Sequence, residues 1–116
     1  KRQAPQFYYV REQAEVKAKL FKQALSDIDI AIYLAPDETS FKAEKASLQL
    51  RLNLISEAMQ TAEQCVKEAP DYSDGYLILG LAQINSGKKE EGLANLDKAK
   101  NLGNSQATSL IEKYKK

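Results

Sequence analysis

Apolar residues recur along this chain at helical spacing. Ala24, Leu25, Ile28, Ala31 and Ile32 fall at i, i+1, i+4, i+7 and i+8, one face of a helix. Ala58, Met59, Ala62, Cys65 and Val66 repeat that stripe, and Leu93, Leu96 and Ala99 give a shorter copy. The segments between carry wider apolar sets: Phe7, Tyr8, Val10 and Ala14; Phe41, Ala46, Leu48, Leu50 and Leu52; Tyr76, Leu77, Leu79, Leu81 and Ile84. A helix that is apolar on two sides must be sandwiched between neighbours, so broad and narrow helices are expected to alternate in stacked pairs. A last stripe, Ala107, Leu110, Ile111 and Tyr114, has Glu112, Lys113, Lys115 and Lys116 off it. The pattern predicts seven helices, at about 6–18, 22–34, 38–51, 56–68, 72–85, 89–101 and 105–115.

The helices repeat with a period. Ala35-Pro36-Asp37 recurs as Ala69-Pro70-Asp71, a step of about 34 residues. The same step aligns Ala24, Ala58 and Gly92 in one small-residue column, Ala31, Cys65 and Ala99 in another, and Ile28, Ala62 and Leu96 in an apolar column. Phe7 aligns with Phe41, and Tyr8 with Tyr76. Three helix-turn-helix units are expected, at about 5–38, 39–72 and 73–104, with a capping helix at about 105–116 whose outer face is polar. Turns within the hairpins fall at Lys19, Asn53 and Gly87; Asn and Gly tolerate the left-handed backbone a helix end requires. Asp37 and Asp71 are placed to cap the helices that follow them.

Composition narrows the class. The chain has 116 residues, 43% hydrophobic and 28% charged, which suits one globular domain and argues against disorder. Seventeen basic and sixteen acidic residues leave a net charge of +1, so no overall field favours nucleic acid or an anionic membrane. The lysines at 98, 100, 113, 115 and 116 form a local helix-end cluster and no basic stripe. No apolar run is long enough to span a bilayer. The lone cysteine suits either redox compartment. Met59 is the only methionine, so Lys1 is not an initiator and a longer parent protein is expected.

Catalytic chemistry finds little support. Without histidine there is no His-based triad, proton shuttle or His-ligated metal. Gly87-Lys88 lacks the first glycine and the Ser or Thr of a phosphate loop. The pairs Asp27/Asp29 and Glu90/Glu91 point in different directions on a helix and cannot share one substrate bond. Cys65 sits in a small-residue packing column, the surroundings of an inert thiol.

The chain resembles the tetratricopeptide repeat (TPR) family. The columns Ala24/Ala58/Gly92, Ile28/Ala62/Leu96, Ala31/Cys65/Ala99 and Pro36/Pro70 match the family's second helix and closing proline, and Tyr8, Tyr76, Leu79 and Gly80 match its first helix. Glu12 and Ala46 depart from the glycine found at Gly80, Lys42 replaces an aromatic, and Asn104 replaces the last proline. The resemblance implies an all-α, right-handed superhelix and a non-catalytic protein-interaction module with no cofactor. Its concave groove would hold a protein or peptide partner. The groove candidates are Tyr9, Gln13, Lys17, Ser47, Arg51, Leu77, Leu81 and Asn85, with Gln6, Ser40, Ala43 and Asp74 beside them. Tyr9 is the leading contact residue, because interface anchors favour aromatics. One class of the family grips the C-terminal carboxylate of heat-shock chaperones through Lys and Asn on the first inner helix, Asn on the second, and Lys and Arg on the third. The matching positions are Tyr9, Gln13, Glu44, Asp74 and Ile78, so this chain is not expected to bind such tails. Two alternatives are a structural spacer or array end within a larger repeat protein, and weak self-association through the N-terminal edge. Phe7, Tyr8 and Val10 begin there without a polar cap, so further repeats are expected upstream.

Overall fold

The computed structural model describes residues 4–116. Seven helices follow one another: α1 Pro5–Lys17, α2 Phe21–Leu34, α3 Thr39–Arg51, α4 Ile55–Glu68, α5 Ser73–Asn85, α6 Lys89–Asn101 and α7 Ala107–Lys115. Among the described residues there is no strand. Consecutive helices pack on one another, and α3 also meets α5, so the broad helices form an inner layer. The body is elongated, 50 × 26 × 23 Å.

One turn closes every helix pair. At the end of α1, Lys19 N–H donates to the Val16 carbonyl and Leu20 N–H to that of Glu15. Asn53/Leu54, Gly87/Lys88 and Gly103/Asn104 repeat the arrangement after α3, α5 and α6. These are Schellman closures, which satisfy helix-end carbonyls at the expense of one left-handed residue. That residue is Lys19 (φ 62°), Asn53 (φ 62°), Gly87 (φ 93°) or Gly103 (φ 96°). Lys19 therefore pays the steric cost its position imposes, about 1–2 kcal/mol for a residue with a Cβ.

The capping expectation for Asp37 and Asp71 is overturned. The residues preceding α3 and α5 are Glu38 and Tyr72, and neither helix receives a side-chain cap. Backbone carbonyls serve instead: Phe41 N–H donates to the Glu38 carbonyl, and Gly75 N–H to that of Tyr72. Tyr76 adds a 2.8 Å bond from its hydroxyl to the Pro70 carbonyl, pinning the linker to α5.

The small-residue columns are the helix crossings. Ala24, Ala31, Ala58, Ala62, Cys65 and Ala99 are fully buried. A Cβ on Gly80 would lie 2.7 Å from the Gly92 carbonyl oxygen, and one on Gly92 would lie 2.6 Å from that of Gly80. α5 and α6 thus touch backbone to backbone, which only glycine allows. Larger side chains fill the space between crossings: Ile28, Phe41 and Leu48 near the N-terminal end, Leu79 against Ala46 and Ala62 in the middle, and Tyr76, Leu77 and Leu96 towards the C-terminal end. On α7, Ala107 is buried, and Leu110 and Ile111 pack against that last cluster. Burial pushes the Cys65 thiol up to about 11, with Glu68 adding to the effect, so it stays protonated at neutral pH.

Candidate peptide groove

The inner layer encloses a cavity of about 510 Å³. Tyr9 of α1 stands at one end. Ser40, Ala43, Glu44 and Ser47 of α3 and Ser73, Asp74, Leu77 and Ile78 of α5 form the floor and walls, with Tyr72 just before α5. Residues 103–106, between α6 and α7, close the other end. A helix puts residues three and four apart on one face, which is why 40, 43, 44 and 47, and 74, 77 and 78, come together.

The candidate residues divide by position. Tyr9, Ser47 and Leu77 line the cavity. Gln13 stands next to it: its amide donates 2.9 Å to Glu12 and approaches Glu44 at 3.5 Å. Lys17, Arg51, Leu81 and Asn85 lie outside the lining. Arg51 instead sits 5.4 Å from the centre of the Phe21 ring, and Leu81 packs on the C-terminal core cluster. All four belong to the C-terminal halves of α1, α3 and α5, beyond the point where the 103–106 link bounds the cavity. That link is absent from the sequence-based candidates. Its only signal was the Gly103-Asn104 pair, which repeats the turn chemistry of Asn53 and Gly87.

The link is tied to α5 by Asn104. Its amide nitrogen donates 2.8 Å to Asp74 Oδ1 and 3.2 Å to Ser73 Oγ, while its own carbonyl accepts the Gln106 N–H at 3.0 Å. Tyr72 donates its hydroxyl to the second Asp74 oxygen at 3.3 Å. Burial and then the Asp74 charge push the Tyr72 hydroxyl up to about 12. Tyr9 is raised in the same way, by burial first and then by Glu44 and Glu12. Its ring packs on Phe41 with centroids 5.1 Å apart.

Behind Glu44 lies Glu12, which is 0% exposed. One of its carboxyl oxygens accepts from Gln13, and the other, Oε2, has no donor. Burial first, and then the neighbouring Glu44 carboxyl, push the Glu12 carboxyl up to about 8. A buried carboxylate without a donor is costly, so the group keeps its proton at neutral pH. The sequence marks Glu12 as the intruder in the glycine column of Gly80; only the packing of α1 on α3 shows where its carboxyl goes.

No family model matches the chain. Over 95 residues it is 27% identical to small glutamine-rich tetratricopeptide repeat-containing protein 2 of Saccharomyces cerevisiae, an alignment covering 82% of this chain and 28% of that one. The Arabidopsis OM64 TPR domain superimposes with a TM-score of 0.89 at 20% identity, covering 97% of this chain and 94% of that one. The fold is that of a TPR superhelix. The first TPR of Spaghetti (RPAP3), solved bound to the HSP90 peptide SRMEEVD, has a TM-score of 0.86 at 18% identity and covers 96% of this chain and 90% of that one. The chain spans about a quarter of the length of the curated relatives it matches. Among the five clamp positions of TPR domains that grip chaperone tails, Tyr9, Glu44, Asp74 and Ile78 line the cavity, and Gln13 adjoins it. Among the described residues no helix is long and apolar enough to cross a membrane.

Proposed function

We propose that this chain is a non-catalytic protein-interaction module and that its concave groove holds an extended peptide or protein segment. The observation that carries the reading is the cavity itself. It is walled by three successive inner helices and the α6–α7 link, with apolar Leu77 and Ile78 beside hydroxyl and amide groups and the Tyr9 ring. Such a mixture suits a segment with one apolar anchor and several backbone and side-chain polar groups. TPR neighbours solved with peptides support the same use of the fold. The cavity serines have no histidine to activate them, since the chain contains none.

The groove is not a two-carboxylate clamp. Glu44 and Asp74 stand where that clamp places an amide and a cation, and among the described residues no Lys or Arg lines the cavity. Seating an acidic tail beside two unpaired carboxylates is unfavourable by several kcal/mol, on the order of a broken buried pair.

Selection of a random peptide phage library on the immobilised chain tests the groove. Enriched sequences should lose binding to Tyr9→Ala and to Ser47→Arg, which blocks the cavity without touching the core. Enriched peptides that bind both variants as well as the parent chain would refute the groove reading.

A further inference from the structure

Among the described residues, the charged side chains that line the cavity, Glu44 and Asp74, are both acidic. The nearby cations are committed elsewhere. Arg11 forks onto Asp27 with bonds of 2.7 and 2.6 Å, Lys45 pairs with Asp29 at 2.9 Å, and Lys42 pairs with Glu68. Among the described residues, no Lys or Arg forms an ion pair with Glu44 or Asp74. Asp74 is also held in place: Asn104 and Tyr72 take one lone pair on each of its oxygens, and a carboxylate has about four such sites.

The second observation is Glu12. It is completely buried, its Oε2 lacks any donor, and its carboxyl is directed at the Glu44 wall of the cavity. A polar atom in that condition calls for a partner. A cation arriving on the cavity side of Glu44 supplies a countercharge to the Glu44 carboxylate. The tyrosines agree with the same occupant. The Tyr9 and Tyr72 rings both line this cavity, and a phenol ring attracts a cation to its face.

We propose that the groove selects a basic segment, with one Lys or Arg side chain seated between Glu44 and Asp74 beside Tyr9 and Tyr72. This rests on the groove reading and names the chemistry of its occupant. Relative to the clamp register, the polarity of recognition is inverted: the protein supplies the carboxylates and the partner supplies the cation.

The test uses three blocked pentapeptides, acetyl-Ala-Leu-X-Leu-Ala-amide, with X as Lys, norleucine or Glu, titrated into the ¹⁵N-labelled chain. The Lys peptide should shift the amide signals of Tyr9, Glu44, Asp74 and Gln106, and should bind about tenfold or more tightly than the norleucine peptide. Its affinity should fall as salt rises from about 50 to about 500 mM, as screening requires. Glu44→Gln and Asp74→Asn should each weaken the Lys peptide about threefold or more and leave the norleucine peptide unchanged. Glu44→Lys should turn the preference towards the Glu peptide, which keeps the test informative if one neutral variant is poorly folded. Equal binding of the Lys and norleucine peptides at the Tyr9 and Leu77 signals overturns the cation and leaves the groove. Preference of the parent chain for Glu overturns it as well. If none of the three peptides shifts these signals, the cation is overturned, and dependence of library-selected peptides on Tyr9 then decides the groove separately.

Discussion

The Asn104 side-chain amide donates a 2.8 Å hydrogen bond to Asp74, 30 residues earlier in the chain. The bond joins the link after α6 to the first turn of α5 and so fixes one end of the cavity. Asn104 stands where the repeat pattern has its closing proline in the earlier copies, Pro36 and Pro70. A proline would supply neither the side-chain donor nor the backbone N–H that Asn104 gives to the Ala99 carbonyl at 3.0 Å.

Asn104→Ala should therefore cost about 1–2 kcal/mol, the usual worth of a hydrogen bond to a charged group. Urea melts of Asn104→Ala, Asp74→Ala and the double variant would measure the coupling directly. Strict additivity of the two single changes would mean that the bond contributes nothing.

Glu12 gives the chain a pH-dependent stability. Its folded carboxyl titrates at about 8, against the ordinary 4.5, so the folded state binds a proton that the unfolded state has released. Stability contributed by that proton is complete below the ordinary range and is lost as pH rises through 8. Tyr9, Gln13 and Glu15 on α1 and Glu44 on α3 surround the group. Glu12→Gln, which is neutral throughout, should gain about 1–3 kcal/mol over the parent chain at pH 9 and little at pH 5. Denaturant midpoints at both values check this; a parent chain equally stable at pH 5 and 9 would contradict it.

The α5–α6 crossing leaves no room for a side chain. Gly80→Leu should overpack it and cost about 1–3 kcal/mol, because the new Cβ meets the Gly92 carbonyl and Leu96 before the rest of the side chain is placed. Gly80→Ala already introduces the 2.7 Å contact and should lie between. Thermal melts of the two variants should rank in that order below the parent chain.

Lys19 offers the opposite effect. It repeats the turn of Asn53, Gly87 and Gly103 with φ at 62°, and its side chain is exposed. Lys19→Gly should raise stability by about 0.5–1 kcal/mol, since relief of the left-handed strain outweighs the added freedom of the unfolded chain. A lower melting temperature for Lys19→Gly would show that the lysine side chain contributes a contact that offsets the strain.

The fold was legible because its constraints are local and periodic. Ala24, Ala58 and Gly92 recur at one spacing because each marks a helix crossing, and the broad apolar set of α5 announces contact on two sides. Helix starts were less legible: Asp37 and Asp71 have the chemistry of caps, yet the backbone carbonyls of Glu38 and Tyr72 take the first-turn N–H groups. The site was legible only in part. Tyr9, Ser47 and Leu77 follow from helical register, whereas the extent of the groove depends on where the α6–α7 link lies against α5. Glu12 could be seen to break a glycine column. That it would reach across to Glu44 depends on the approach of α1 to α3, which no spacing within α1 encodes.

The groove's charge makes a negative prediction as sharp as the positive one. The last five residues of the peptide SRMEEVD, Met-Glu-Glu-Val-Asp, carry no basic side chain, and an N-acetylated copy of them would meet Glu44 and Asp74 with no cation between. Calorimetric titration should show no binding at millimolar peptide; micromolar affinity would mean that the acids rearrange.

The most direct measurement of the central claim is the map of amide shifts produced by a library-selected peptide on the ¹⁵N-labelled chain. The account predicts that the largest changes fall on Tyr9, Ser47, Asp74 and Leu77 and on residues 103–106, around one cavity. Changes confined to α2, α4 and α6, or to exposed Phe7 and Val10 at the edge of α1, would contradict it.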